Sequence, residues 1–406
     1  MVSAPDTRPA VDAILGVRPR TIVEPGSVAE AAEAMRGFAR DHLAVGFVGG
    51  GTALELGAPP SRLDALLRTR KLARIREHSP SDQIVAVEAG MILAELQRQL
   101  ASHGQRLALD PPFADRATVG GIVAASCHGP RRLRFGVPRD LVIGITIVRA
   151  DGVVAHGGGK VVKNVAGFDL PRLFCGSLGT LGLIAEVVFR LHPLPEASAT
   201  AVFDGLAADE VARVMPTLRE LGVEPVAATA FEERGRFTLL VRFEGFAPGV
   251  RDQVERALVK VGRGAEAVGP GEAALWARHD ALQDDVDVRC RASFAPAGLA
   301  KALAALAPLA GALEGGGLVV HPALGLALLS GNLRDAEAAG RAIGAARPHL
   351  ASLGNGSLVL MAAPSALRAR ADVWGPDPGG IAVMRRLKHE LDPDARLAPG
   401  RFVGGI

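Results

Sequence analysis

VGFVGGGT, Val45 to Thr52, is a short apolar run that ends in three consecutive glycines. Its first four residues read as a strand, 45–48. The glycines then make a turn whose backbone N–H groups can approach a ligand closely, because no Cβ stands in the way. Just upstream, Ser27 and Glu30 have the spacing of a capping box and open an Ala-rich amphipathic helix over 28–41. Downstream, 84–89 and 183–191 read as strands, and 92–103 as a helix closed by Gly104. Residues 141–149 and 153–156 form a hairpin that turns at Asp151-Gly152.

The glycine turn is not alone. GGGT (49–52), TVGG (118–121), GGGK (157–160) and GSLGTLG (176–182) all fall in the first half of the chain. GGGK by itself reads as a tight turn between strands; the other three together point to a large ligand with phosphates, held mostly by backbone. Familiar phosphate motifs do not fit. The first strand–turn–helix lacks GxGxxG, which argues against a Rossmann site. GGGK fails the P-loop pattern, with Val154 and Val161 at positions that require glycine and serine or threonine. HExxH and GxSxG are absent.

Composition narrows the chemistry. The 406 residues suffice for two domains, and 49% are apolar, as in an ordinary globular protein. No apolar run approaches the length of a bilayer span, and the N-terminus reads as lacking a signal peptide, so the cytoplasm is expected. The 46 basic and 43 acidic residues give a net charge of +3, with no basic stripe to suit nucleic acid. Cys127, Cys175 and Cys290 lie far apart, without the spacing of a zinc site or of a four-cysteine iron–sulfur cluster; no metal site is expected. There is no tyrosine, so acid–base work falls to His, Arg, Lys, carboxylates or a cofactor.

His192-Pro193-Leu194-Pro195 breaks the pattern and marks a domain boundary. Beyond it, strands near residues 201, 227, 239, 291, 319, 328 and 358 alternate with helices near 211, 254, 303, 338 and 382. This reads as an α+β domain with helices on one face of a sheet. No internal repeat is visible.

The order GGGT, EAG (88–90), TVGG, GPRR (129–132), PRDLVIG (138–144), KNVAGFDLPRLFCGSLGTLG (163–182) and a terminal PGRF (399–402) resembles the FAD-linked oxidases of the vanillyl-alcohol oxidase, or PCMH, type. Within these it is most similar to the FAD-binding E subunit of bacterial glycolate oxidase. The resemblance is strong over about 22–195, weak over 200–375, and returns at the tail. It implies an α+β fold: a PCMH-type FAD-binding domain of two α/β subdomains plus an α+β cap domain. Residues 1–195 would be the FAD-binding domain, 196–375 the cap or substrate domain, and 376–406 a segment returning to the FAD domain.

The resemblance also implies roles. Gly49, Gly50, Gly51 and Thr52 would cradle the pyrophosphate. Thr118, Gly120 and Gly121 would lie along the same cofactor, with His128 and Gly129 beside the flavin path. Gly179, Thr180, Gly182 and Ile184 would hold the other end through main-chain contacts. Arg139-Asp140 would be structural support. The chain departs from the pattern in three places. Val48 stands where many relatives have arginine or proline, and Ala398 where the tail often has asparagine. The His/Asp/Asn cluster of hydroxy-acid oxidising relatives has no counterpart; His321-Pro322-Ala323-Leu324-Gly325 comes nearest and lacks the carboxylate.

Individual residues leave alternatives open. Cys127-His128 lacks further metal ligands, and adjacent side chains in an extended segment diverge, against a nucleophile–base pair. Some oxidases of this fold tether FAD through histidine, but the E-type subunits carry small residues here, so FAD is expected to be non-covalent. Arg131, Arg132 and Arg134 suit cofactor support, a subunit contact or a carboxylate clamp. Lys163 and Asn164 fit a turn or a flavin contact equally. His192 reads as a boundary residue, and Trp276 and Trp374 as packing. Arg289 and Arg291 flank Cys290 and share one direction, toward a cavity or toward water. The catalytic candidates are Arg131, Arg291 and His321. The leading expectation is a subunit of a glycolate (2-hydroxy acid) oxidase or dehydrogenase complex. Its partners would be a sister flavin subunit, an iron–sulfur subunit and a small hydroxy acid, with membrane association only through partner subunits. The alternatives are a stand-alone FAD oxidoreductase on another hydroxy acid or lactone, and a non-catalytic flavin-binding scaffold.

Overall fold

The computed structural model describes residues 11–159, 167–281 and 286–406. Lys160, Lys163 and Asn164, and most of KNVAG, lie outside the described residues. The chain divides into two units: Met1–Gly129, Gly136–Leu194 and Asp377–Ile406 form one, Pro130–Phe135 and Pro195–Pro376 the other. The 1–195 span expected as one block is therefore interrupted, because Pro130–Phe135 belongs to the second unit.

The first unit holds two main sheets. Thr21–Val23 (β1), Val45–Val48 (β2) and Ala65–Arg68 (β3) form a parallel sheet in the order β1-β3-β2. Helix Val28–Arg40 (α1) buries Ala31, Ala32, Met35 and Phe38, one stripe of its surface, in a cluster shared with Val45 and Ala65. Ser27 Oγ accepts from Glu30 N at 3.2 Å, but the Glu30 carboxylate turns back to Gly26 N, one residue earlier than a strict capping box requires.

Ile75–Ser79 (β4), Ile84–Glu88 (β5), Val142–Val148 (β7), Val154–Gly158 (β8) and Leu183–Arg190 (β9) form an antiparallel sheet in the order β4-β5-β9-β7-β8. A two-residue pair, Gln105–Arg106 (β6) with His192–Pro193 (β10), lies apart from it. Helices Leu93–Ala101 (α2) and Val119–Ala125 (α3) share one hydrophobic cluster with β5, β7 and β9. Leu141 closes the turn Pro138–Leu141 (α5), which is why β7 starts one residue later than expected.

The second unit is built on one nine-stranded sheet. Its first part runs Ala197–Leu206 (β11), Ala208–Glu220 (α7), Ala227–Glu233 (β12), Arg236–Gly245 (β13), Ala247–Val261 (α8), Ala265–Ala267 (β14). The second runs Val288–Ser293 (β15), Leu299–Gly311 (α10), Leu318–His321 (β17), Leu326–Leu333 (β18), Ala336–Ser352 (α11), Ser357–Ala362 (β19), with a short Leu313–Glu314 (β16) beside β18. The sheet order is β14-β11-β13-β12-β17-β18-β15-β19. Each part is a βαββαβ unit, and the two join edge to edge through β12 and β17. A structural repeat therefore exists where none was legible: its two halves share a path of the chain and no quotable residues.

Strand alternation assigns the faces. Ala201, Phe203, Leu239, Val241 and Cys290 pack with α7, α8, α10 and α11. On the opposite face, Val202, Phe231, Leu240 and Val319 pack with Trp276 of Gly269–Ala281 (α9). Helices thus cover both faces, not one as the pattern suggested; α9 escaped the pattern because its buried side is Glu272, Trp276 and His279 rather than an apolar stripe.

Candidate functional site

The first unit contains a cleft that is partly open to solvent. Its wall includes Gly49, Gly50, Gly51 and Thr52 after β2, Thr118, Gly120 and Gly121 at the start of α3, and Gly179, Gly182 and Ile184 leading into β9. His128, Gly129 and Thr180 do not line it. Gly129 is instead required by packing, since a Cβ there would overlap the Asp110 carbonyl oxygen. Thr180 is buried; its Oγ1 donates to Ser177 O at 2.7 Å and its N–H to the same oxygen at 3.0 Å.

The loops contribute differently. A Cβ on Gly49 would overlap Thr118 Oγ1, and one on Gly50 the Arg116 carbonyl oxygen, so glycine is what lets the first loop lie against the second. Among the described residues, no acceptor takes the N–H groups of Gly50, Gly51, Thr52 and Ala53. Four consecutive donors at a cleft wall suit an anionic ligand, as in other backbone nests. TVGG offers shape instead. Val119 N donates to Met91 O at 2.9 Å, Gly120 N to Ala89 O at 2.8 Å, and Gly121 N to Thr118 Oγ1 at 3.3 Å. With Phe47, Leu178 and Leu183 adding apolar wall, the cleft suits a long ligand with a phosphate-bearing stretch and flat apolar parts.

The tail, expected from the sequence as a segment returning to the FAD domain, lies beside this cleft through contacts that the sequence reading did not single out. Val45 N donates to Arg396 O and Ala398 N to Val45 O, each at 2.8 Å, so the tail runs parallel beside β2. Arg401, buried, donates to Leu54 O at 2.9 Å, Leu56 O at 2.6 Å and Ala58 O at 3.3 Å, gathering the chain that follows GGGT. Lys388, on Ile381–Leu391 (α13), is buried and donates to Thr180 O at 2.8 Å, Leu397 O at 2.8 Å and Asp392 Oδ2 at 2.6 Å. Burial pushes its pKa below the usual lysine range, and Asp392 opposes that shift. The only sequence signal for this brace was the terminal PGRF.

The EAG motif also has a structural task. Glu88 is buried; it accepts from Arg74 N at 2.8 Å and pairs with the Arg74 guanidinium at 3.0 Å. Asp140 accepts from Val137 N at 2.9 Å, closing its own turn. His192 is half-buried, and burial, with Arg190 and Arg106 near it, holds its pKa down to about 4.

The catalytic candidates Arg131, Arg291 and His321 belong to the second unit. Arg131 Nη2 donates to the buried Glu244 carboxylate at 2.8 Å, so its charge already has an internal partner. Arg291 and Arg289 are half-buried, on the face of β15 opposite Cys290. His321 ends β17, buried, its ring centroid 6.2 Å from that of His279. By strand alternation Arg289, Arg291 and His321 share the polar face of the sheet with Glu244 and Arg242. There Glu272 Oε1 accepts from Arg242 Nε at 2.8 Å, Thr200 Oγ1 at 2.7 Å and Ser198 Oγ at 2.9 Å. Arg242 also stacks 4.2 Å over Trp276. This buried network was absent from the sequence reading. The burial that raises the Cys290 thiol to about 12 also leaves it protonated and inert.

Comparisons with known proteins fit this geometry. A family model described as an FAD binding domain matches residues 19–158, the stretch that carries GGGT and TVGG. That stretch, about a third of the chain, is similar to FAD-binding domains of the PCMH type, and FAD is the cofactor that this domain class holds. Among curated relatives, glycolate oxidase subunit GlcD of Bacillus subtilis is 32% identical over 51% of this chain and 48% of its own length. Glycolate oxidase subunit GlcE of Escherichia coli is 40% identical over 30% of this chain and 36% of its own. D-lactate dehydrogenase of Archaeoglobus fulgidus is 34% identical over 42% and 38% respectively. The chain therefore spans half or less of the length of each. A solved structure of alkyldihydroxyacetonephosphate synthase has a TM-score of 0.72, 19% identity, and covers 94% of this chain and 77% of that one. At that identity the likeness is one of fold, the PCMH/VAO fold. Among the described residues no helix is long and apolar enough to cross a membrane.

Proposed function

We propose that this chain is an FAD-dependent oxidoreductase subunit acting on small 2-hydroxy acids, within a glycolate oxidase or dehydrogenase complex. The observation that carries the reading is the cleft itself: N–H groups of the GGGT loop that find no acceptor among the described residues, set beside apolar walls, in a stretch that matches an FAD-binding family. The similarity to two glycolate oxidase subunits supports the substrate class and the complex.

Bound FAD would supply the two-electron redox chemistry. The chain's own residues would do the rest. Backbone N–H groups of residues 50–53 would meet the pyrophosphate, Thr118 would fix the turn beneath it, and Gly179, Gly182 and Ile184 would close on the far end. The tail from Lys388 to Arg401 would hold these loops at their separation. Arg291 and His321, on the polar face of the second unit, are the groups we assign to a carboxylate or hydroxyl substrate. Arg131 is assigned to neutralising Glu244. A sister flavin subunit and an iron–sulfur subunit would complete the complex.

The D-lactate dehydrogenase relative favours a second reading, a stand-alone dehydrogenase. One experiment separates the two. The purified chain, loaded with FAD, is mixed anaerobically with glycolate or D-lactate and its absorbance near 450 nm is followed. Bleaching only when the complex partners are present supports the subunit; bleaching by the chain alone supports the second reading. A folded chain that takes up no FAD contradicts both.

A further inference from the structure

A second cavity, partly open to solvent, lies in the first unit against the GSLGTLG loop. Leu173, Leu181, Met384, Leu387, Phe402 and Ile406 give it apolar walls, and no charged side chain of the described residues lines it. Such a lining favours an apolar occupant over one with an unpaired charge. Polar groups are few. The Cys175 thiol is held protonated by burial, its pKa raised to about 12. The Thr180 hydroxyl is taken by Ser177 O. Ser177 is different: it is only 5% exposed, lines the cavity, and its Oγ has no hydrogen-bond partner among the described residues. A buried hydroxyl without a partner carries a desolvation cost that a ligand oxygen would relieve.

The location narrows the occupant. Ser177 and Thr180 face this cavity, while Leu178 and Gly179, between them in sequence, line the cofactor cleft. One turn of chain is the partition. Leu387 of α13, which lines the same cavity, is 36% exposed and gives it an apolar edge toward solvent. We propose that this cavity is a binding site for a neutral, apolar ring bearing a carbonyl oxygen, a quinone, with Ser177 Oγ–H donating to that oxygen. The choice of a quinone among such molecules rests on the FAD reading, since it is the class a redox protein uses.

The test is calorimetric titration of the FAD-loaded full-length chain with ubiquinone-1. Saturable binding at one site is expected, about three- to tenfold weaker in Ser177→Ala, from loss of one hydrogen bond. Met384→Trp, which fills the cavity, should abolish it while FAD absorbance stays unchanged. Ser177→Ala removes only an unpartnered hydroxyl, so it keeps the test valid should the bulky variant fold poorly. Absence of saturable binding, or equal affinity in wild type and Ser177→Ala, overturns the site. The FAD-free chain separates the two claims. A chain that binds quinone but no FAD removes the FAD reading and leaves the cavity; one that binds FAD but no quinone removes the cavity alone.

Discussion

Lys388 Nζ donates to the carbonyl oxygen of Thr180 at 2.8 Å, across 208 positions of sequence. The same ammonium meets Asp392 and Leu397 O, so one buried cation ties the GSLGTLG loop to the tail. Lys388→Met would leave the Asp392 carboxylate buried without its cation, a loss of about 3–5 kcal/mol. Chemical denaturation of the apo chain should show that loss, and Asp392→Asn added to it should restore part. FAD affinity should fall in the single variant. An unchanged midpoint would remove the brace from the account.

Arg401 acts on the other loop. Its guanidinium serves three carbonyl groups between Leu54 and Ala58, and Arg401→Met leaves them without a charged donor. A loss of at least about 1.5 kcal/mol is expected, together with faster hydrogen exchange over 50–58. Exchange that is unchanged there, with stability unchanged, would show that the loop holds itself.

Arg131 tests a role assigned from the sequence. Its partner Glu244 is almost wholly buried, so Arg131→Met should cost about 3–5 kcal/mol in the denaturation of the whole chain. Glu244→Gln in the same background should recover much of it. A carboxylate clamp would behave otherwise, raising KM and leaving stability alone.

His192 gives a pH signature. Burial and two arginines hold its folded pKa at about 4, against about 6.5 unfolded. The unfolded chain binds the proton more readily between those values, so stability falls as pH drops from about 6.5 toward 4. His192→Gln removes that contribution. Its denaturation midpoint should decline less over this window than that of the wild type; parallel declines would place the effect elsewhere.

Local chemistry was legible and distant packing was not. Val45–Val48 reads as a strand because four apolar residues stop at three glycines, and the structure gives those bounds. The glycine loops announced a cleft because few other tasks need so many residues without Cβ. Helix α3 was missed: VGGIVAA has no amphipathic period, and its only cue is the Thr118 cap. The doubled βαββαβ sheet was missed because topology can repeat without residues repeating. Lys388 and Arg401 were missed because the contacts that reach the cleft loops, to Thr180 O and to the carbonyls of Leu54, Leu56 and Ala58, are to backbone far along the chain, and a carbonyl has no residue type. Arg131 was noticed for its charge, but Glu244, which defines its task, is 113 positions away.

The central claim is that the GGGT loop holds FAD. It is tested most directly by titrating the apo chain with FAD, following flavin fluorescence, in wild type and Gly50→Ala. The added Cβ would overlap Arg116 O and push the first loop off the second. One FAD per chain in the wild type, with binding severely weakened in a Gly50→Ala chain that keeps its far-UV circular dichroism, is the expected result. A folded wild-type chain that takes up no FAD, or a Gly50→Ala chain that binds it equally well, would contradict the account.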